Sequence, residues 1–175
     1  MDLEITEYQT PIGTAVAAVH DGQLCAMTFA DGWARTERTL QRRFGAVRCL
    51  PAKGTPLVRR LDAYFAGDLR ALDDIAVDPG GTPFQHAVWM ALRRVPVGQT
   101  TTYAELARAV GAPTAVRAVG AANGANPIWL VIPCHRAIGS NGSLVGYAGG
   151  LDRKRWLLTH EKAIATQEPL AFASA

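Results

Sequence analysis

Cysteine is scarce in this 175-residue chain, and its three copies, Cys25, Cys49 and Cys134, are an odd number at wide spacings. That argues against a disulfide framework or a zinc knuckle and fits a reducing compartment. Long apolar runs are missing too. No stretch of about 18 apolar residues occurs, so no transmembrane helix is predicted. The first residues, Met1-Asp2-Leu3-Glu4, are acidic and lack the apolar core of a signal peptide, which predicts a cytoplasmic location. Repeats and low-complexity tracts are absent. With 49% hydrophobic and 19% charged residues, the composition is globular and allows one large domain or two small ones.

Acidic residues are sparse in one part of the chain. Residues 84–162 carry nine Lys and Arg against three Asp and Glu, a net +6, while the remainder carries nine against twelve, a net −3. A basic C-terminal half suits a polyanion, most simply nucleic acid, although an ordinary solvated surface gives the same count.

Residues 10–29 read as a β-hairpin, with Ile12, Val16 and Ala18 before the turn His20-Asp21-Gly22-Gln23 and an apolar run after it. Residues 34–44 and 55–66 have helical spacing, for example Leu57, Leu61, Tyr64 and Phe65. Residues 73–81, with Pro79-Gly80-Gly81, read as a linker. The expected organisation is therefore 1–80, 81–162 and a tail at 163–175. Beyond the linker, Thr82-Pro83 opens a helix in which Phe84, Val88, Ala91 and Leu92 form the apolar stripe, and Val95-Pro96-Val97-Gly98 ends it. A second helix spans 103–110 and stops at Gly111. Thr114 is expected to cap a third, 115–122. Two short helices across a glycine-containing turn match a helix-turn-helix, a pattern that many αα-hairpins share without binding DNA. In the third helix Val116 and Val119 are expected to face the core, which projects Arg117 outward among Ala118, Gly120 and Ala121. Residues 123–127 form a turn, and a glycine-rich loop at 139–150 contains Tyr147.

The chain centres on Pro133-Cys134-His135-Arg136, which follows the apolar run 128–132, expected to be a strand. A neighbouring histidinium or arginine lowers a thiol pKa toward neutrality, which would make Cys134 a nucleophile; a buried cysteine beside polar residues is the alternative. In the last helix, 151–162, Lys154, Leu157, Leu158 and Glu161 share one face. Glu161 therefore points inward and needs a partner. His135 is a candidate, as are Arg136 and a backbone amide.

Taken together, these motifs resemble the O6-alkylguanine-DNA alkyltransferases. The matching pieces are Gly81-Thr82-Pro83-Phe84-Gln85, Val88-Trp89, Arg117-Ala118-Val119-Gly120, Asn126-Pro127, Pro133-Cys134-His135-Arg136, Gly146-Tyr147 and Leu157-Leu158-Thr159-His160-Glu161, in matching order and spacing. Thr10-Pro11-Ile12-Gly13 and Tyr64-Phe65-Ala66-Gly67 resemble the family's less constrained first domain. The resemblance implies an α+β fold, with a small N-terminal β-sheet domain with flanking helices and a mainly helical C-terminal domain carrying the helix-turn-helix.

It also implies single-turnover transfer of the alkyl group from O6-alkylguanine, and possibly O4-alkylthymine, in double-stranded DNA to Cys134. The damaged nucleotide is flipped out first. The resemblance assigns His135 as base through a water, Glu161 as its orienting group, Tyr103 as proton donor and Asn126 as brace of the turn. DNA contacts fall on Thr114, Ala115, Arg117, Gly120 and Ala121, with Arg117 as the intruding finger. The lesion pocket falls on Trp129, Ala137, Tyr147 and Ala148. Ala137 stands where members often carry valine, Ala148 and Thr102 where many carry serine, and Trp129 is bulkier than is common. Neither metal nor organic cofactor is implied, the protein is expected to be a monomer, and no membrane partner is expected. A lesion-binding module without chemistry would have no use for Cys134, and a cysteine hydrolase would leave the helix-turn-helix unexplained.

Overall fold

Alternating apolar and polar residues at the start of the chain build a four-stranded sheet. Strands β1 (Asp2–Thr10), β2 (Gly13–His20) and β3 (Gln23–Phe29) form an antiparallel meander, and β4 (Arg48–Pro51) adds in parallel to β1, giving the order β3-β2-β1-β4. The register runs from Thr10 opposite Gly13 to Glu4 opposite Val19, and from Ala15 opposite Phe29 to His20 opposite Gln23, with a bulge between Ala18 and Val19. Ala15, Val16, Ala17 and Ala18 are buried at successive positions, so both faces of β2 are covered. Helix α1 (Trp33–Phe44) packs near β3 and helix α2 (Pro56–Phe65) near β1. Leu40 of α1 joins a core of Leu3, Ala18, Cys25 and Ala26. Thr55 caps α2 by accepting from the Val58 amide, with Pro56 in the first turn.

Strands β1 and β4 are elements that the sequence reading did not expect. Thr, Tyr and Ile spaced between charged residues along β1 were the available signal. In β4 all four residues are exposed, so no apolar period marks it.

The computed structural model describes residues 1–165 of the chain; residues 166–175 of the expected tail lie outside the described residues. The chain divides into two units, Met1–Gly80 and a second beginning at Gly81. No helix among the described residues is long and apolar enough to cross a membrane.

In the second unit, Thr82 caps α3 (Pro83–Arg93) through a reciprocal capping box with Gln85, as Thr102 does for α4 (Tyr103–Ala109) with Glu105. Gly81 has φ +83, and a Cβ there would lie 2.7 Å from the Trp89 ring. Helices α3, α4 and α5 (Val116–Gly124) pack on one another around Val88, Trp89, Leu92, Leu106, Ala107 and Val119. The Trp89 indole N–H donates to Ala122 O at 2.8 Å and fixes α3 to α5. Short strands β5 (Thr101–Thr102) and β6 (Ala137–Ile138) pair in parallel, and α6 (Leu151–His160) closes the unit with Leu157 and Leu158 buried.

The run 128–132 is not the expected strand. Val131 N–H donates to Trp129 O and Ile132 N–H to Ile128 O, both at 3.0 Å, and Leu130 takes φ 75. This is a tight turn whose five residues are all buried, so strand alternation does not sort their side chains. Five apolar residues in a row carry no period that separates a strand from a buried turn.

Candidate active site

Cys134, His135 and Arg136 form a single 3₁₀ turn that follows the buried turn at 128–132. Asn126 fixes the approach to it. Its side-chain amide donates to Ile132 O at 2.8 Å, and its carbonyl oxygen accepts from the Ile128 N–H at 3.0 Å. Two hydrogen bonds from one residue thus stitch both ends of the turn that delivers the thiol.

The Glu161 carboxylate sits at the end of α6, fully buried, and gathers three donors. His135 Nε2 lies 3.0 Å from Oε1, while Arg136 gives Nε to Oε2 at 2.8 Å and Nη2 to Oε1 at 2.9 Å. Arg136 also donates to Val95 O at 2.6 Å. Burial by itself pushes the Glu161 carboxyl up. The His135 and Arg136 contacts outweigh it and hold the group well below the usual carboxylate range. A carboxylate at that distance accepts a hydrogen bond from Nε2–H, which leaves Nδ1 as the ring nitrogen not engaged by Glu161. Nδ1 is buried and has no hydrogen-bond partner among the described residues, and the Tyr147 hydroxyl oxygen shares that condition.

Arg136 is therefore spent on Glu161 rather than on the thiol, and the expectation of a depressed Cys134 pKa is corrected. Burial of the thiol pushes it up to about 11; the Asn126 amide, Lys154 and the backbone amides of Cys134 and His135 pull the other way. Sequence adjacency placed His135 and Arg136 beside the thiol, but their side chains turn toward α6.

The glycine-rich loop is tied down from two helices. Tyr103 donates its hydroxyl to Val145 O at 3.2 Å and Gly146 O at 3.3 Å. Gly146 has φ +56, and a Cβ there would sit 3.3 Å from that hydroxyl. Burial, and then the nearby Cys134, raise the Tyr103 pKa. Lys154 donates to Ala137 O at 2.6 Å and Val145 O at 2.7 Å. Among the described residues no group of three or more His, Cys, Asp or Glu is placed to hold a metal.

On α5, Arg117, Ala118 and Ala121 are exposed and Gly120 is half-buried. Val119 is fully buried, but Val116 is 37% exposed, so only one of the two valines faces the core. Ala115 is the N-cap, without a side-chain cap bond, and Thr114 lies one residue outside the helix. Asn123, expected in the following turn, is instead buried in the last turn of α5. The shift arises because small residues continue helical backbone through Gly124 when Val119 and Ala122 pack inward.

Residues 83–163 match the model of the 6-O-methylguanine DNA methyltransferase, DNA binding domain. A methylated-DNA–protein-cysteine methyltransferase of Salmonella typhimurium is 60% identical over 102 residues, which are 58% of this chain and 60% of that protein's length. One from Mycolicibacterium paratuberculosis is 44% identical over 167 residues, covering 89% of this chain and 92% of that protein. The chain belongs to the methylated-DNA–protein-cysteine methyltransferase family. The crystal structure of Mycobacterium tuberculosis O6-methylguanine methyltransferase superposes with a TM-score of 0.77 at 39% identity, covering 95% of this chain and 96% of that one. The structure of M. tuberculosis OGT in complex with DNA gives 0.78 at 40% identity, covering 91% and 93%.

In this methyltransferase-family chain the structure brings Cys134, His135, Glu161 and Asn126 into one buried cluster, with Tyr103 and Tyr147 at its edge. Trp129 and Ala137 are buried and Ala148 is exposed. Arg136, one of the partners open to Glu161 from the sequence, is a second one beside His135. Lys154 is fully buried, on the face it shares with Leu157 and Leu158, but the sequence reading gave it no part in the site.

Proposed function

We propose that this chain repairs alkylated DNA directly, moving the alkyl group from O6 of guanine to Sγ of Cys134 in a single turnover. The observation that carries the proposal is the 3.0 Å contact of His135 Nε2 with Glu161: with Nε2–H held there, the buried Nδ1 in the same turn as Cys134 is the base.

The thiol stays protonated at neutral pH because it is buried. His135 Nδ1 takes that proton through a water as the sulfur attacks the alkyl carbon. The S–C bond forms in line with the breaking C–O6 bond, and the bonding pair stays with the guanine. The Tyr103 hydroxyl supplies the proton that restores neutral guanine and is reprotonated from solvent. Glu161 stabilises the transient imidazolium. A thioether has no good leaving group, so the sulfur is spent.

The partner is duplex DNA carrying O6-alkylguanine, met by one copy of the chain. Helices α4 and α5 act as the helix-turn-helix. Their exposed face, with Thr114, Ala115, Gly120 and Ala121 small enough for close approach, lets Arg117 enter the stack as the lesion leaves it. Tyr147, Ala148, Ala137 and Trp129 line the base pocket, and the unpaired Tyr147 hydroxyl suits a polar edge of the base. Intact-mass measurement after incubation with an O6-methylguanine duplex tests the reading. One methyl group should appear on Cys134 and on no residue of Cys134→Ala. Repeated turnover, or labelling that survives the substitution, would refute it.

A further inference from the structure

Among the described residues, Lys154 is a buried cation with no carboxylate hydrogen-bonded to it. It lies in the first turn of α6, is wholly excluded from solvent, and among the described residues donates to the carbonyls of Ala137 and Val145. The carboxylate of this site, Glu161, is already matched by Arg136 and His135. Taking an ammonium out of water carries a desolvation cost that two neutral acceptors recover only in part. A lysine kept there despite that cost points to a use for its charge. The group that feels it is Cys134: the ammonium favours the thiolate, and the thiolate favours the ammonium.

The two carbonyls that hold Lys154 add a geometric reason. Ala137 directly follows the 3₁₀ turn bearing the thiol, and Val145 belongs to the glycine-rich loop, where its carbonyl also accepts from Tyr103. One ammonium therefore joins the nucleophile's turn to the loop that carries Tyr147. Among the described residues, the other titratable groups facing the thiol are Tyr103 from α4 and Tyr147 from the loop, both kept neutral by burial, and His135 beside it in the chain. None of these gives the thiolate a permanent positive partner.

We infer that Lys154 is the positioning residue that supplies the counter-charge for the Cys134 thiolate and pins the glycine-rich loop to the turn that carries it. The inference rests on Cys134 being the acceptor thiol. Burial of Lys154 lowers its own pKa to about 8 and a nearby thiolate raises it, so the counter-charge is present at neutral pH and is retained where the thiolate forms.

The test is the pH dependence of Cys134 carboxamidomethylation by iodoacetamide, followed by peptide mass mapping, which needs no DNA. The midpoint of the curve reads thiol ionisation, and its amplitude reads access. Lys154→Met should raise the midpoint by about one pH unit or more, so that labelling at pH 8 drops about tenfold. Lys154→Arg should keep the midpoint near that of the parent. A Lys154→Met midpoint equal to that of the parent, with only the amplitude altered, would overturn the inference and leave a structural lysine. Should Lys154→Met not fold, Lys154→Gln against Lys154→Arg decides: the neutral amide must shift the midpoint and the cation must not, and coincident curves overturn the proposal. Methyl transfer from an O6-methylguanine duplex to the parent protein is run separately. Its failure would refute Cys134 as acceptor whatever the iodoacetamide midpoints show.

Discussion

Replacing Glu161 by glutamine perturbs the most concentrated electrostatics in the second unit. The carboxylate accepts from His135 Nε2 and from Arg136 Nε and Nη2, and both of its oxygens are engaged. Glutamine keeps the shape but offers one acceptor oxygen; its NH₂ then meets an N–H donor of Arg136 or His135. The Arg136 guanidinium loses its counter-charge while buried. Uncompensating a buried charge in this way costs about 3–5 kcal/mol. For a chain of this size each kcal/mol lowers the melting temperature by about 2–4 °C, so a drop of about 6–20 °C is expected in thermal unfolding followed by circular dichroism. The pH dependence gives a second signature. The folded-state pKa of Glu161 is depressed, so its stabilisation is fully present above the ordinary value of 4.5 and is lost as pH falls below it toward the folded-state pKa. The difference in stability between the parent and Glu161→Gln should therefore shrink as pH drops below about 4.5. At a temperature where both are folded, the variant should transfer methyl more slowly, because His135 loses the carboxylate that fixes its tautomer. Duplex binding should be unchanged, since Glu161 is buried. A melting temperature within about 2 °C of the parent's, less than about 1 kcal/mol, would refute the assignment of an energetic role to this cluster.

Arg117→Ala should depress reaction with a duplex substrate far more than with the free modified base if, as proposed, the exposed guanidinium serves extrusion, since unstacking costs a few kcal/mol; equal losses on both substrates would remove Arg117 from that role. Asn126→Ala strands the Ile128 N–H and the Ile132 carbonyl, and at about 1–3 kcal/mol for each buried group left unpaired it should lower urea-unfolding stability measurably and slow methyl transfer; a variant matching the parent in both would mean that the turn holds without it. Trp129→Ala should accelerate reaction with free O6-benzylguanine if the indole restricts the pocket, and a folded variant with an unchanged second-order rate constant would show that Trp129 serves packing alone.

Much of this protein was legible in order along the chain. Thr82-Pro83 and Thr102 announce helix starts because a hydroxyl that accepts an N3 amide is a local device, readable over four residues. The β2–β3 hairpin follows from Asp21-Gly22 between apolar runs for the same reason, since the turn needs positive φ at both positions and has it. The inward aim of Glu161 follows from its spacing to Leu157 and Leu158. The candidate nucleophile, its neighbours in the chain and the family are carried by short motifs whose residue types the proposed chemistry requires.

What the chain order did not settle concerns groups whose state depends on what lies across space. Neighbours in sequence suggested that His135 and Arg136 would acidify Cys134; tertiary packing turned both toward α6 and buried the thiol, so its pKa rises instead. The residues at 128–132 look like a strand, yet Asn126 and a left-handed Leu130 fold them into a turn. Val116, expected to face the core, is exposed, and the ammonium of Lys154 is fully buried on the face it shares with Leu157 and Leu158. Local sequence determines backbone devices and which chemistry is available, because those interactions span a few bonds. Burial, partner choice and the energy of a charge depend on elements far apart in the chain, and only their packing decides them.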